Sequence, residues 1–423
     1  MSTFRHPGTV LTDHLMEVPL DHDDPGGETI TLFAREVAAT DGAERPWLLF
    51  LQGGPGLASP RPIGRDSWLD RALRDYRVLL LDQRGTGRST RVGRNSVLRR
   101  GGPQEQARHL SHFRADSIVR DAELLRRRLA GGAPWSVLGQ SFGGFCAVTY
   151  LSTAPAGLRE VLITGGLPGL TATAEDVYRA AYPRVAAKNA AHFARYPDDV
   201  AAVRAIATHL LEHDVRLPDG APLSAAWFQT LGLALGSSTG SHELHYLVED
   251  AFDAPGALSD VFLDRVRHRL SMLATPLYAL LHEAIYAQGE GPTAWAAHRV
   301  RAEHPQFDAT ADAPVLFTGE MIYPWQFDAD PGLTPMREAA ELLAARADWP
   351  ALYDPAGLAA NEVPVVAAVY HDDMYVDRDH SLHTASAIRG ARAWVTNEHE
   401  HDGLRVSSGA VLDRLIAMAR GNA

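Results

Sequence analysis

Trp135-Ser-Val-Leu-Gly-Gln-Ser-Phe-Gly-Gly144 (WSVLGQSFGG) is the stretch that decides the fold. The apolar run Trp135–Leu138 enters Gly139-Gln-Ser141-Phe-Gly143, and the apolar, helix-like segment Phe145–Ser152 follows. Strand, sharp turn and helix in that order are the context in which G-x-S-x-G positions a nucleophilic serine. Glycines on either side of the serine avoid Cβ clashes in a turn that lifts the hydroxyl above the sheet. The N–H of Phe142, at the start of the helix, then points toward a developing oxyanion. Ser141 is therefore read as the nucleophile.

Working outward, two further apolar runs end in glycine-rich turns. Pro46–Leu51 (PWLLFL) leads into Gln52-Gly-Gly-Pro-Gly56, and Tyr76–Leu81 (YRVLLL) leads into Asp82-Gln-Arg-Gly-Thr-Gly-Arg-Ser89. Unbroken apolar runs suit strands covered on both faces, as in a parallel sheet. Thr29–Val37, with Ile30, Leu32 and Ala34 alternating against polar neighbours, reads as a half-buried strand. Asp116–Leu129 carries Ile118, Ala122, Leu125 and Leu129 at helical spacing, which makes a strand–helix–strand unit. Val161–Thr164 is the next strand. From Leu167 to Asn361 alanine-rich amphipathic helices such as Asp199–Glu212 take over, with one strand-like run at Pro314–Gly319. Strand patterns return at Val363–Tyr370 and Ala393–Thr396, and Ala410–Ala419 closes the chain as a helix. The expected fold is α/β: a mostly parallel central sheet built from residues 1–166 and 362–423, with a mainly helical cap, residues 167–361, inserted between them. A cap so placed roofs a pocket at the C-terminal ends of the strands.

Composition narrows the function classes. The 423 residues carry 40 Lys and Arg against 52 Asp and Glu, a net charge of −12, which argues against a nucleic-acid partner. The single cysteine, Cys146, excludes an intrachain disulfide framework and a cysteine-based zinc site. Met1–Val10 has no apolar core of the signal-peptide kind, and the longest apolar runs are too short to span a bilayer. A soluble cytoplasmic protein without membrane contact is expected.

A serine nucleophile needs a base and an orienting acid, in the order serine, acid, histidine for this topology. The acid belongs after a late strand, where His371-Asp372-Asp373 follows Val363–Tyr370. Asp372 and Asp373 compete, and Asp373, further past the strand end, is favoured. The base belongs after the last strand, in Asn397–Gly403, where His399 and His401 compete. His401 is favoured because it opens a His-Asp-Gly turn just before the final helix. These two turns hold metal-ligand types, but without a fixed spacing, so no metal is expected. Gly53 and Gly54 let backbone N–H groups approach a substrate closely and supply the second oxyanion donor beside Phe142. The Asp82–Ser89 turn lacks the G-K-[ST] ending of a phosphate loop, and Arg84 is read as a structural anchor for it.

GGPG, DQRGTGRS and GQSFGG after three successive strands resemble the proline iminopeptidase (prolyl aminopeptidase) family of α/β-hydrolase-fold serine peptidases. Phe317–Trp325 (FTGEMIYPW), Tyr370–Val376 and Glu400–Arg405 resemble its longer bacterial subgroup. The likeness spans nearly the whole chain, with Gln52 standing where the family carries histidine. It implies the α/β-hydrolase fold, the triad Ser141, Asp373 and His401, and release of an unblocked N-terminal proline from short peptides without metal or organic cofactor. It also implies acidic side chains near the cap that hold the substrate amine. By that likeness, and because each sits in apolar company, Glu283 and Glu320 are the candidates, with Tyr323, Trp325 and Phe327 walling the proline ring. An esterase or lactonase on the same scaffold is the alternative.

Overall fold

A computed structural model describes residues 2–63, 67–289, 291–310 and 313–422. The strands are β1 (Ser2–His6), β2 (Thr9–Pro19), β3 (Thr29–Ala39), β4 (Trp47–Leu51), β5 (Arg77–Asp82), β6 (Trp135–Gln140) and β7 (Leu158–Thr164). A short hairpin of β8 (Phe252–Ala254) and β9 (Ala257–Leu258) follows, then β10 (Val365–Tyr370) and β11 (Arg392–Thr396). Among the described residues nine strands form one sheet in the order β1-β2-β3-β5-β4-β6-β7-β10-β11. The six from β5 to β11 run parallel, and β1, β2 and β3 join antiparallel at one edge.

The apolar runs are continuous because successive residues serve opposite faces. Leu49 and Leu51 of β4 and Leu79 and Leu81 of β5 join one apolar cluster with the helices Ala115–Leu129 and Phe142–Thr153. Leu48, Phe50, Val78 and Leu80 join another, with Trp68–Leu73 and the closing helix Ala410–Ala419. The helix after Ser141 is buried on every side from Phe142 to Leu151, which explains its unbroken apolar sequence.

The N-terminal hairpin β1–β2 has no counterpart in the sequence reading. Its alternation is broken by polar residues that the fold buries in pairs: Asp13 accepts from Arg35 Nε at 2.8 Å and Arg88 Nη1 at 2.6 Å, and His14 Nε2 lies 3.0 Å from Glu36. Among the described residues between β7 and β10, helices joined by loops are accompanied by the β8–β9 hairpin. Its longest helix, Ala174–Arg195, opens on a capping box between Thr173 and Asp176. Apolar residues of Ala174–Leu270 and Ala296–Tyr323 form a cluster of their own, whereas Leu277–Ala287 and Leu333–Leu358 pack into the cluster on the serine side of the sheet. Pro314–Gly319 is not a strand. Side chains take its backbone groups instead: Asn189 Oδ1 accepts from Phe317 N at 2.8 Å, Asn189 Nδ2 donates to Phe317 O at 2.9 Å, and Gln229 Nε2 donates to Leu316 O at 2.8 Å. No helix among the described residues is long and apolar enough to cross a membrane.

Arg84 locks the turn after β5. Its guanidinium donates to Asp121 at 2.7 and 2.6 Å and to the carbonyls of Pro19, Leu20 and His112 at 3.0, 2.8 and 2.7 Å. Both residues are 1 % exposed. His22 Nε2 also lies 2.9 Å from Asp121, but Arg84 is the buried carboxylate's permanent positive partner, so Arg84→Ala is expected to cost about 3–5 kcal/mol. The measurement is the urea midpoint. The Arg84→Ala, Asp121→Ala double variant is expected to fall well short of the sum of the single losses, because it leaves neither charge alone.

Candidate active site

The turn after β6 places Ser141 at φ 57° and ψ −128°, a conformation that side chains rarely adopt. Packing leaves no alternative. A Cβ on Gly143 would sit 1.9 Å from the Leu51 carbonyl oxygen, and one on Gly144 would sit 2.3 Å from that of Gly166. The glycine turn after β4 lies against the serine, with a Gly53 Cβ position only 2.8 Å from the Ser141 Cβ. Gly54 follows at φ 136°, also glycine territory. Gln83 Nε2 donates to the Gln52 carbonyl at 3.0 Å and ties this turn to the one after β5.

Three turns at the C-terminal ends of parallel strands thus converge, and two more complete the group. His401, after β11, places Nδ1 2.7 Å from Asp373 Oδ2, after β10. The other Asp373 oxygen accepts from the backbone N–H of Tyr375 at 2.8 Å and Val376 at 3.1 Å. Asp373 is 1 % exposed, whereas Asp372 faces solvent beside His371 at 2.8 Å. Burial pulls the His401 imidazole down, but the Asp373 carboxylate, with Glu320 adding to it, more than offsets this and the net shift is upward. The Tyr375 ring stands edge-on to His401, with centroids 4.8 Å apart at 86°. Ser141 and His401 line one cleft of about 360 Å³ with Gly53, Gly54, Tyr278 and Glu320.

Glu320 is the carboxylate on the cleft wall, and it accepts from Tyr278 Oη at 2.7 Å. A second chamber of about 310 Å³ shares Leu233, Met272, Tyr278, Glu320 and Tyr375 with the cleft, so the two adjoin.

Glu283 is placed differently from the expectation. It does not line the cleft, and its two oxygens accept the backbone N–H groups of Ala296 at 3.0 Å and Ala297 at 2.9 Å, where the helix Ala296–Arg301 begins. Burial pushes its carboxyl up to about 7 despite these bonds. Tyr323 and Trp325 also leave the cleft. They stack on each other at 5.3 Å, and the buried Tyr323 hydroxyl meets that of Tyr182 at 3.0 Å, so they pack the helical layer. Phe327 is fully buried against Trp295. The rings that do line the cleft are Tyr278 and Tyr375, which no sequence motif singles out. Tyr375 had a signal, since it stands two residues beyond Asp373. Tyr278 had none beyond its distance of five residues from Glu283. Cys146 is wholly buried, and burial pushes its thiol far up, which leaves it inert. No cluster of metal-ligating side chains occurs among the described residues.

Sheet order, serine turn and histidine–carboxylate pair define an α/β-hydrolase, and a family profile described as alpha/beta hydrolase fold matches residues 46–249. The chain is 52% identical to a proline iminopeptidase of Aeromonas sobria over 96% of both chains. It is 38% identical to the proline iminopeptidase aneH of Aspergillus aculeatus over 97% of this chain and 94% of that one. The chain belongs to the proline iminopeptidase family. Among solved structures, esterase E22 aligns over 98% of this chain and all of its own at 12% identity and a TM-score of 0.49.

Proposed function

We propose that the protein is a serine aminopeptidase that releases an unblocked N-terminal proline from short peptides. The observation that carries this reading is a serine–histidine cleft with a carboxylate, Glu320, on its wall, in a chain of the proline iminopeptidase family. Ser141 Oγ attacks the first carbonyl carbon while His401 takes its proton, and Asp373 holds the imidazole tautomer and stabilises the imidazolium. The N–H groups of Gly53 or Gly54 and of Phe142 bind the oxyanion. His401 protonates the leaving amine, and water then hydrolyses the acyl-enzyme. Substrate proline brings a protonated secondary amine, and burying that charge demands a carboxylate partner. Glu320 meets that demand, and Glu283 stays behind it as the cap of its helix. The helical layer, residues 167–361, acts as the cap that limits cleavage to one residue.

The test compares proline 4-nitroanilide, its N-acetyl form and 4-nitrophenyl acetate. Cleavage of the free-amine anilide and not of the acetylated one is expected; ester cleavage without amide cleavage would make the protein an esterase. Glu320→Gln keeps the shape and removes the charge. It is expected to lower kcat/KM for the anilide about 10- to 100-fold, the worth of one charge-assisted hydrogen bond. An unchanged kcat/KM would remove Glu320 from the amine site.

A further inference from the structure

Arg91, Arg94 and Arg99 surround a depression of about 350 Å³ whose remaining wall includes Leu273 and Ala274. Nearby arginines are paired: Arg88 with Asp13 at 2.6 Å and Arg100 with Glu28 at 2.6 Å. Among the described residues Arg91, Arg94 and Arg99 form no ion pair with any carboxylate, although Arg94 is only half-exposed. Three mutually repelling cations gathered without a counter-charge, in a chain of net charge −12, make a local field suited to an anion.

The location says which anion. Residues 272–275 form a single tight turn, closed by the Thr275 N–H donating to the Met272 carbonyl at 3.0 Å. Met272 and Thr275 line the Ser141 cleft, while Leu273 and Ala274 line the arginine depression. One turn therefore forms the wall between the two, its end residues on the cleft and its middle residues on the depression. A peptide extends about 3.3–3.6 Å per residue, so about four residues span roughly 13–14 Å, enough for a chain leaving the cleft to pass over a single turn. Leu273, 53 % exposed, offers an apolar contact on the way.

We propose that Arg91, Arg94 and Arg99 form a subsite for the free C-terminal carboxylate of short peptide substrates. It anchors the leaving portion while the N-terminal proline occupies the cleft. This assignment rests on the aminopeptidase reading and adds a preference for short peptides with a free C-terminus.

The experiment compares Pro-Gly-Gly-Gly with its C-terminal amide and with proline 4-nitroanilide, in the wild-type protein and in an Arg91→Gln, Arg94→Gln, Arg99→Gln variant. The wild type is expected to favour the acid over the amide about fivefold to tenfold in kcat/KM, through KM, and to lose the preference as salt is raised. The triple variant is expected to treat acid and amide alike and to cleave the anilide at the wild-type rate. Equal cleavage of acid and amide by the wild type, or a preference that survives in the variant, would overturn the subsite. Calorimetric binding of the two peptides to Ser141→Ala reads the same preference without turnover. A wild type that cleaves no anilide would therefore sink the aminopeptidase reading and leave the subsite to be judged on binding alone.

Discussion

Ser141→Ala is expected to lower kcat for proline 4-nitroanilide by about 10⁴- to 10⁶-fold, with the fold intact. The size of the loss comes from removing the covalent route altogether. What remains is the oxyanion-binding loop and the cleft, which still hold the substrate, so KM is expected to change little. Alanine keeps the Cβ and therefore the unfavourable φ of 57° at this position, so stability is expected to match the wild type. Glycine relieves that conformation. Ser141→Gly is thus expected to be as inactive as Ser141→Ala but to melt at a higher temperature. Single-turnover assays and thermal melts of the two variants check both points. A verified Ser141→Ala protein with near-wild-type turnover would remove the serine from the chemistry.

The parts of the molecule that were legible in sequence are those set by local rules. Glycines around Ser141 announce a turn that only glycine can flank, and the neighbouring apolar runs are continuous because alternate residues feed opposite faces of the sheet. The helices Asp199–Glu212 and Ala410–Ala419 have the bounds their periodicity suggests. Chain order also brings Asp373 and His401 together, since each follows a parallel strand and such turns gather at one end of the sheet. The illegible parts depend on partners distant in sequence. Pro314–Gly319 looks like a strand until Asn189 and Gln229 take its backbone groups. Asp13 and His14 look too polar for a buried strand until Arg35, Arg88 and Glu36 meet them. Glu283 and Glu320 look alike in sequence, each an acid among apolar neighbours. Only packing distinguishes the carboxylate that caps a helix from the one that faces the cleft.

Asp373 and Asp372 are adjacent in sequence and opposite in setting, which makes them a matched pair for the second large effect. Asp373→Asn retains shape, yet an amide beside His401 Nδ1 no longer fixes the productive tautomer or stabilises the imidazolium. A fall in kcat on the order of 10⁴-fold is expected. Asp372→Asn, at an exposed carboxylate that pairs with His371, is expected to leave kcat unchanged. The pH profile adds a sign. His401 works as a base only when neutral, and the Asp373 carboxylate holds its pKa above the ordinary value against the opposing pull of burial. Wild-type kcat/KM is therefore expected to fall on the acid side at a pH above that of an ordinary histidine. With the Asp373 carboxylate gone, only Glu320 still opposes burial, and the acid limb of Asp373→Asn is expected to move to lower pH. A merely structural Asp373 would lower activity through loss of folded protein and leave that limb in place. The movement of the limb thus separates a residue that tunes the base from one that only braces the turn after β10.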